Sequence, residues 1–184
     1  MNWVVFAIFA YIFLALQKGF GSLISLPEAF GGMAPSLLLI FGVYICLSAR
    51  AYLALWAMLA LGILTDLITT TNPSATIIGP ASLGYLLAGF TIIQMRGLVF
   101  KESVFTLAIL TFSAGVFAGL TTICFFKMRS FSWLTNDPIE GWDSATQMYR
   151  YFMMVLYTTV LSFPIGALLY RLSPLFRFHE KKSY

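Results

Sequence analysis

Apolar residues fill six stretches of this chain, at 3–20, 34–47, 51–68, 75–95, 103–126 and 149–172, with short polar or turn-forming segments between them. A helix rises about 1.5 Å per residue and the hydrocarbon core of a bilayer is about 30 Å thick, so a spanning helix needs about 20 mostly apolar residues. Two of the stretches are short by this measure, and their ends are expected to borrow residues from the interface. Only Ser48 to Arg50 separate the second stretch from the third, which predicts an antiparallel helical hairpin. The pattern predicts an all-α polytopic membrane protein of six transmembrane helices, forming a single integral membrane domain over 1–184.

Composition agrees with the pattern. The 184 residues are 60% hydrophobic and 10% charged, whereas soluble domains carry about 25% charged residues. The formal net charge of +4 is not arranged as a nucleic-acid surface, because the basic residues sit in short connectors and the tail. They act as topology signals instead. With six spans both termini share one side with Arg50, Arg96, Lys101, Arg171, Arg177, Lys181 and Lys182, against Lys18, Lys127, Arg129 and Arg150 on the other. The positive-inside rule then places both termini in the cytoplasm. The N-terminus has no basic region before its apolar run and reads as a retained first span. The outer loop at 17–33 is apolar but broken by Gly and Pro, and is expected to lie in the interface. The last outer loop, 127–148, holds Trp133 and Trp142, expected at headgroup level as anchors or a partner surface.

One residue is out of place in this wall of hydrocarbon. Asp66 is the only acidic residue within the apolar run of a predicted span, and an aspartate at a helix centre costs about 2.5–3.5 kcal/mol on insertion scales. The topology puts it about one turn from the outer end. It could cap or hydrogen-bond the following segment, Thr69 to Ser74, hold a partner or a buried polar contact, or carry a proton. A relay would need ionisable neighbours, and the other spans supply none. Gly115 and Gly119 form a G-x-x-x-G, and Gly84 precedes Ala88 and Gly89 at a similar spacing, which lets helix backbones approach closely, within the protein or on a partner. Pro164 is expected to kink the sixth span, and Pro80 to be tolerated in the first turns of the fourth. Cys46 and Cys124 read as small buried hydrophobes near opposite faces, not a disulfide. His179 reads as a solvated tail residue, and Asp137, Glu140 and Asp143 as a solvated acidic loop. No phosphate-binding loop, zinc-ligand spacing or nucleophile–base constellation is present, so no enzyme activity, catalytic residue, cofactor or metal is expected.

The stretch L-G-I-L-T-D-L-I, Leu61 to Ile68, followed by S-L-G-Y-L-L-A-G, Ser82 to Gly89, resembles the bacterial rod shape-determining protein MreD family. That family's pattern is a Gly, a few apolar residues and an Asp-Leu-Leu closing a span, then a polar turn, a helix and a basic connector. Gly62, Asp66 and Arg96 stand at those places, and Gly84, Tyr85 and Gly89 lie in the helix. Upstream, Pro35 and Tyr44 fit the family's habit of a proline opening an apolar helix with a tyrosine further along. The turn T-T-T-N-P-S-A-T is longer than the family's and lacks its glycine. The resemblance implies a non-enzymatic scaffold of lateral wall synthesis in the bacterial cytoplasmic membrane. Its implied partner is the bitopic protein MreC, which connects to MreB inside the cell and to RodA with a class B penicillin-binding transpeptidase. The family's fold is similar to the substrate-binding S-components of energy-coupling-factor vitamin transporters, so an S-component is the alternative. The first span lacks that group's alanine ladder, which weighs against it.

Overall fold

A computed structural model of the chain describes residues 3–19, 25, 32–69, 79–97, 103–129, 143–172 and 174. The described residues form six helices: α1 (Trp3–Gly19), α2 (Leu37–Ser48), α3 (Ala51–Thr69), α4 (Pro80–Met95), α5 (Val104–Arg129) and α6 (Ser144–Arg171). Helices are what these sequences must form in lipid, because each segment then satisfies its own backbone donors and acceptors.

The helices are of two kinds. Three contain windows long and apolar enough to cross a bilayer, of 18 residues in α3, 25 in α5 and 27 in α6. The other three are apolar but shorter, at 17, 12 and 16 residues for α1, α2 and α4. Six spans were expected, two of them short, and the described helices match that number and order, with three rather than two below spanning length. The shortest is α2. Its 12 residues rise about 18 Å, well under the thickness of a bilayer core.

Burial explains how α2 can be short. Every residue from Leu37 to Leu47 is buried, and α2 packs against all five other helices. A helix apolar all round belongs inside a bundle, and one enclosed by other helices need not match the lipid around them. The remaining helices pack in chain order, α3 on α4, α4 on α5 and α5 on α6. They wrap α2 as an arc.

α1 covers α2 with an aromatic stripe. Phe6, Ala10 and Phe13 are its buried residues, spaced three and four apart so that they share a face. The rings of Phe6, Phe9 and Phe13 all stack on Phe41 of α2, with centroids 5.8, 6.2 and 5.2 Å away. The opposite side of α1 exposes Val4, Ile8 and Tyr11.

Glycines set how closely the arc closes. A Cβ on Gly62 would lie 2.5 Å from the Ser82 Cα, so α3 and α4 touch backbone to backbone there. A Cβ on Gly84 would lie 3.0 Å from the Ala118 Cα, which brings α4 equally close to α5.

Two further expectations need correction. α6 begins at Ser144, before the predicted 149, because the Asp143 carboxylate caps it by accepting from the backbone N–H of Ala145 and Thr146, at 3.2 Å each. Asp143 is therefore a helix cap, while Asp137 and Glu140 lie outside the described residues. Cys46 is buried as expected, but Cys124 is exposed, because it lies on a side of α5 that meets no other helix. Pro164 lies inside α6, which continues through it to Arg171.

Candidate functional site

Asp66 stands on α3, one turn before the helix ends at Thr69, and is only 4% exposed. Its surroundings come from the start of α4. Helix α4 opens with Pro80 at its first position, and the residue before it, Gly79, has φ 146°. Only glycine adopts that backbone readily, and glycine brings no side chain to cap the helix. The first turn of α4 therefore presents N–H groups that need an acceptor from elsewhere.

The Asp66 carboxylate supplies it. Oδ2 accepts from the backbone N–H of Gly79 and of Ser82, both at 2.9 Å, and from the Ser82 hydroxyl at 2.6 Å. Oδ1 accepts from the Ala81 N–H at 2.9 Å. A carboxylate at a helix N-terminus also meets the positive end of the helix dipole. The carboxylate is thus an N-cap donated by one helix to the next. It caps the start of α4 at residues 79–82; of the 69–74 segment also considered, residues 70–74 lie outside the described residues. Gly62 is part of the same device: without the close backbone approach at Ser82, the carboxylate could not reach.

A second polar group adjoins the first. Tyr85, one turn below Ser82 and buried, shares a hydrogen bond of 2.8 Å with the Ser36 hydroxyl at the start of α2. Its hydroxyl also faces Thr65, the neighbour of Asp66. The Ser36 N–H donates to Thr158 Oγ1 of α6 at 3.1 Å. The Thr158 hydroxyl in turn donates to the Met154 carbonyl at 2.7 Å. Polar side chains of α2, α3, α4 and α6 so meet at one place inside the bundle. At the same end Lys18 Nζ of α1 donates to the Ile68 carbonyl at the close of α3, 2.8 Å away. Gln17 Oε1 accepts from the Leu38 N–H at 3.4 Å. The ends of α1, α2 and α4 beside Asp66 are so tied to α3 or to one another.

The remaining candidate residues lie at helix contacts. A Cβ on Gly89 would come 2.8 Å from Met58 Cγ, and one on Gly115 would come 2.8 Å from Val155 Cγ2 of α6. One on Gly119 would meet nothing nearer than Tyr151 Cβ at 3.6 Å, an ordinary contact. The small residues therefore serve packing inside this protein. Trp133 and Trp142 lie outside the described residues. The structure joins Asp66, Gly62 and Tyr85 in one place and leaves Gly89 and Gly115 at separate contacts.

Sequence reasoning missed Ser36, Gly79, Ser82 and Thr158. One signal was available: a Gly-Pro opening a helix with no Ser, Thr, Asp or Asn before it implies that the cap comes from another segment. Chemically the cluster is a set of hydroxyls and one carboxylate engaged with helix ends. Among the described residues, no three of His, Cys, Asp or Glu are grouped so as to hold a metal ion.

Comparison with curated proteins gives no match, and comparison with solved structures gives none. A family model described as rod shape-determining protein MreD matches residues 1–162, nearly the whole chain, including every residue of the Asp66 cluster. This membrane protein therefore belongs to the MreD family, and its role is in rod shape determination.

Proposed function

We propose that the chain is a non-enzymatic scaffold of the cell-elongation machinery in the bacterial cytoplasmic membrane, with MreC as its direct partner. MreB, RodA and the class B penicillin-binding transpeptidase are then reached through MreC. The observation that carries this reading is the use made of Asp66. The one buried carboxylate among the described residues is occupied by donors of α4, which is the work of a brace. Asp66, Gly62 and Tyr85 then act on a partner indirectly, by fixing where α3 and α4 end. The charge bias supports cytoplasmic termini, since seven of the eleven Lys and Arg residues in the sequence fall on the side of the termini and four on the side of Asp66.

Affinity purification of the full chain from native membranes in mild detergent tests the reading, with mass spectrometry of proteins and small molecules. Stoichiometric recovery of MreC is the expected result. Recovery of a pair of transporter ATPases with a vitamin-sized ligand would overturn it in favour of a transporter subunit.

A further inference from the structure

The end of the bundle opposite Asp66 has another chemistry. The apolar window of α3, Ala51–Ile68, is 18 residues long and rises about 27 Å, close to the thickness of a bilayer core. Arg50 therefore stands at one membrane boundary, while Asp66 is near the other. Arg50 is exposed and joins α2 to α3. Arg96, at the close of α4, donates from Nη1 to the Ala49 carbonyl at 2.9 Å. Its guanidinium is thus pinned against the peptide that leads into Arg50. A guanidinium has five N–H donors, so this bond leaves Arg96 most of its capacity.

Two aromatic rings mark the same boundary. Tyr52 and Trp56, one turn apart on α3, are 70% and 50% exposed and meet edge to face, with centroids 6.2 Å apart. Tyrosine and tryptophan on a lipid-facing surface favour headgroup level. The described acidic residues, Asp66 and Asp143, are both at the other end. Among the described residues, then, Arg50 and an Arg96 held against the neighbouring peptide stand at the boundary with no carboxylate at that end.

The geometry points to a binding site for the anionic headgroup of a phospholipid, with Arg50 and Arg96 on the phosphate and Tyr52 and Trp56 beside the glycerol and upper acyl chain. Arginine matches phosphate oxygens with paired N–H donors, and it tolerates the interface better than lysine because it is more weakly hydrated. The occupant is a lipid because Arg50, Tyr52 and Trp56 are exposed at the same membrane boundary, where the anion within reach of a cation is a headgroup phosphate. Each arginine near an anionic surface is expected to enrich anionic lipid about fivefold.

The test uses full-length protein in phosphatidylcholine vesicles, with Trp56 as sole tryptophan through Trp3→Phe, Trp133→Phe and Trp142→Phe. Brominated phosphatidylglycerol and brominated phosphatidylcholine are compared as quenchers of Trp56 at equal mole fraction. The expected result is a preference for phosphatidylglycerol of about fivefold or more, reduced about fivefold by Arg50→Gln, given the contribution of one arginine. Arg50 is the residue to change because its side chain is exposed, and circular dichroism confirms that the variant keeps its helices. Arg150→Gln, at the other end, is expected to leave the preference unchanged. Equal quenching by the two lipids would overturn the site. So would a preference that survives Arg50→Gln, or one that Arg150→Gln lowers equally, since net charge would then be the cause.

Discussion

Replacing Asp66 with leucine removes the acceptor for four donors, and the structure says what each loss costs. The Ser82 hydroxyl can rotate to another acceptor. The three backbone N–H groups of Gly79, Ala81 and Ser82 cannot, because the turn of α4 fixes them. An orphaned buried donor costs about 1–3 kcal/mol. Taking about 2 for the buried Ser82 N–H and about 1 each for the other two gives about 4 kcal/mol. For a chain of this size, 1 kcal/mol moves the melting temperature about 2–4 °C, so Asp66→Leu is expected to lower it by about 8–16 °C. Asp66→Asn is the informative companion. Its carbonyl can take the place of Oδ2, where three of the four donors converge, leaving the amide opposite the Ala81 N–H. One donor is lost, at about 1 kcal/mol, or about 2–4 °C. The assay is thermal unfolding of purified protein in mild detergent, with recovery of MreC in parallel. A leucine variant as stable as the asparagine variant would refute the capping argument. A leucine variant of normal stability that fails to bind MreC would show that Asp66 meets the partner directly.

Four further outcomes are expected. Gly62→Ala would drive a Cβ to 2.5 Å from the Ser82 backbone and part α3 from α4, so it should reduce accumulation in membranes sharply. Gly119→Ala, whose nearest contact is at 3.6 Å, should change stability by less than about 0.5 kcal/mol. Phe41→Ala removes the ring on which three phenylalanines of α1 stack; it should cost about 3–5 kcal/mol and release α1, read as faster cleavage by added protease between α1 and α2. The bonds from Thr146 and Ala145 hold the Asp143 carboxyl below its ordinary value. Its contribution to the start of α6 should therefore be present above the usual carboxylate pKa and be lost as pH falls through the lowered one, seen as faster amide exchange at Ala145 and Thr146 after correction for the intrinsic rate.

Hydropathy located all six helices because each must satisfy its own backbone in lipid, whatever surrounds it. It could not tell α2 from α3, since an apolar residue facing lipid and one facing protein look alike in sequence. Helix ends were legible only where a charged or turn-forming residue stood close by. The short link at Ala49 and Arg50 placed the α2–α3 turn correctly, whereas the run read from Tyr149 missed the true start of α6 at Ser144, five residues earlier and mostly polar or small. Asp66 drew attention through the cost of its carboxylate, but its donors lie 13 to 16 positions on. The bonds of Ser36 span 49 and 122 positions. No local periodicity connects such pairs; those of Asp66 meet where α3 packs on α4, and those of Ser36 where α2 packs against α4 and α6.

The enclosure of α2 has a consequence for how the chain is made. α2 leaves the ribosome before four of the five helices that surround it. Its 12 residues are too few to halt in a bilayer as an independent span, so it depends on α3, joined through the turn at Ala49 and Arg50, to hold it in the membrane. The hairpin waits there, incomplete, until α4, α5 and α6 arrive to give α2 its walls. Synthesis and enclosure run in different orders, and a truncation that removes α6 leaves exposed a helix that never has a lipid face in the finished protein.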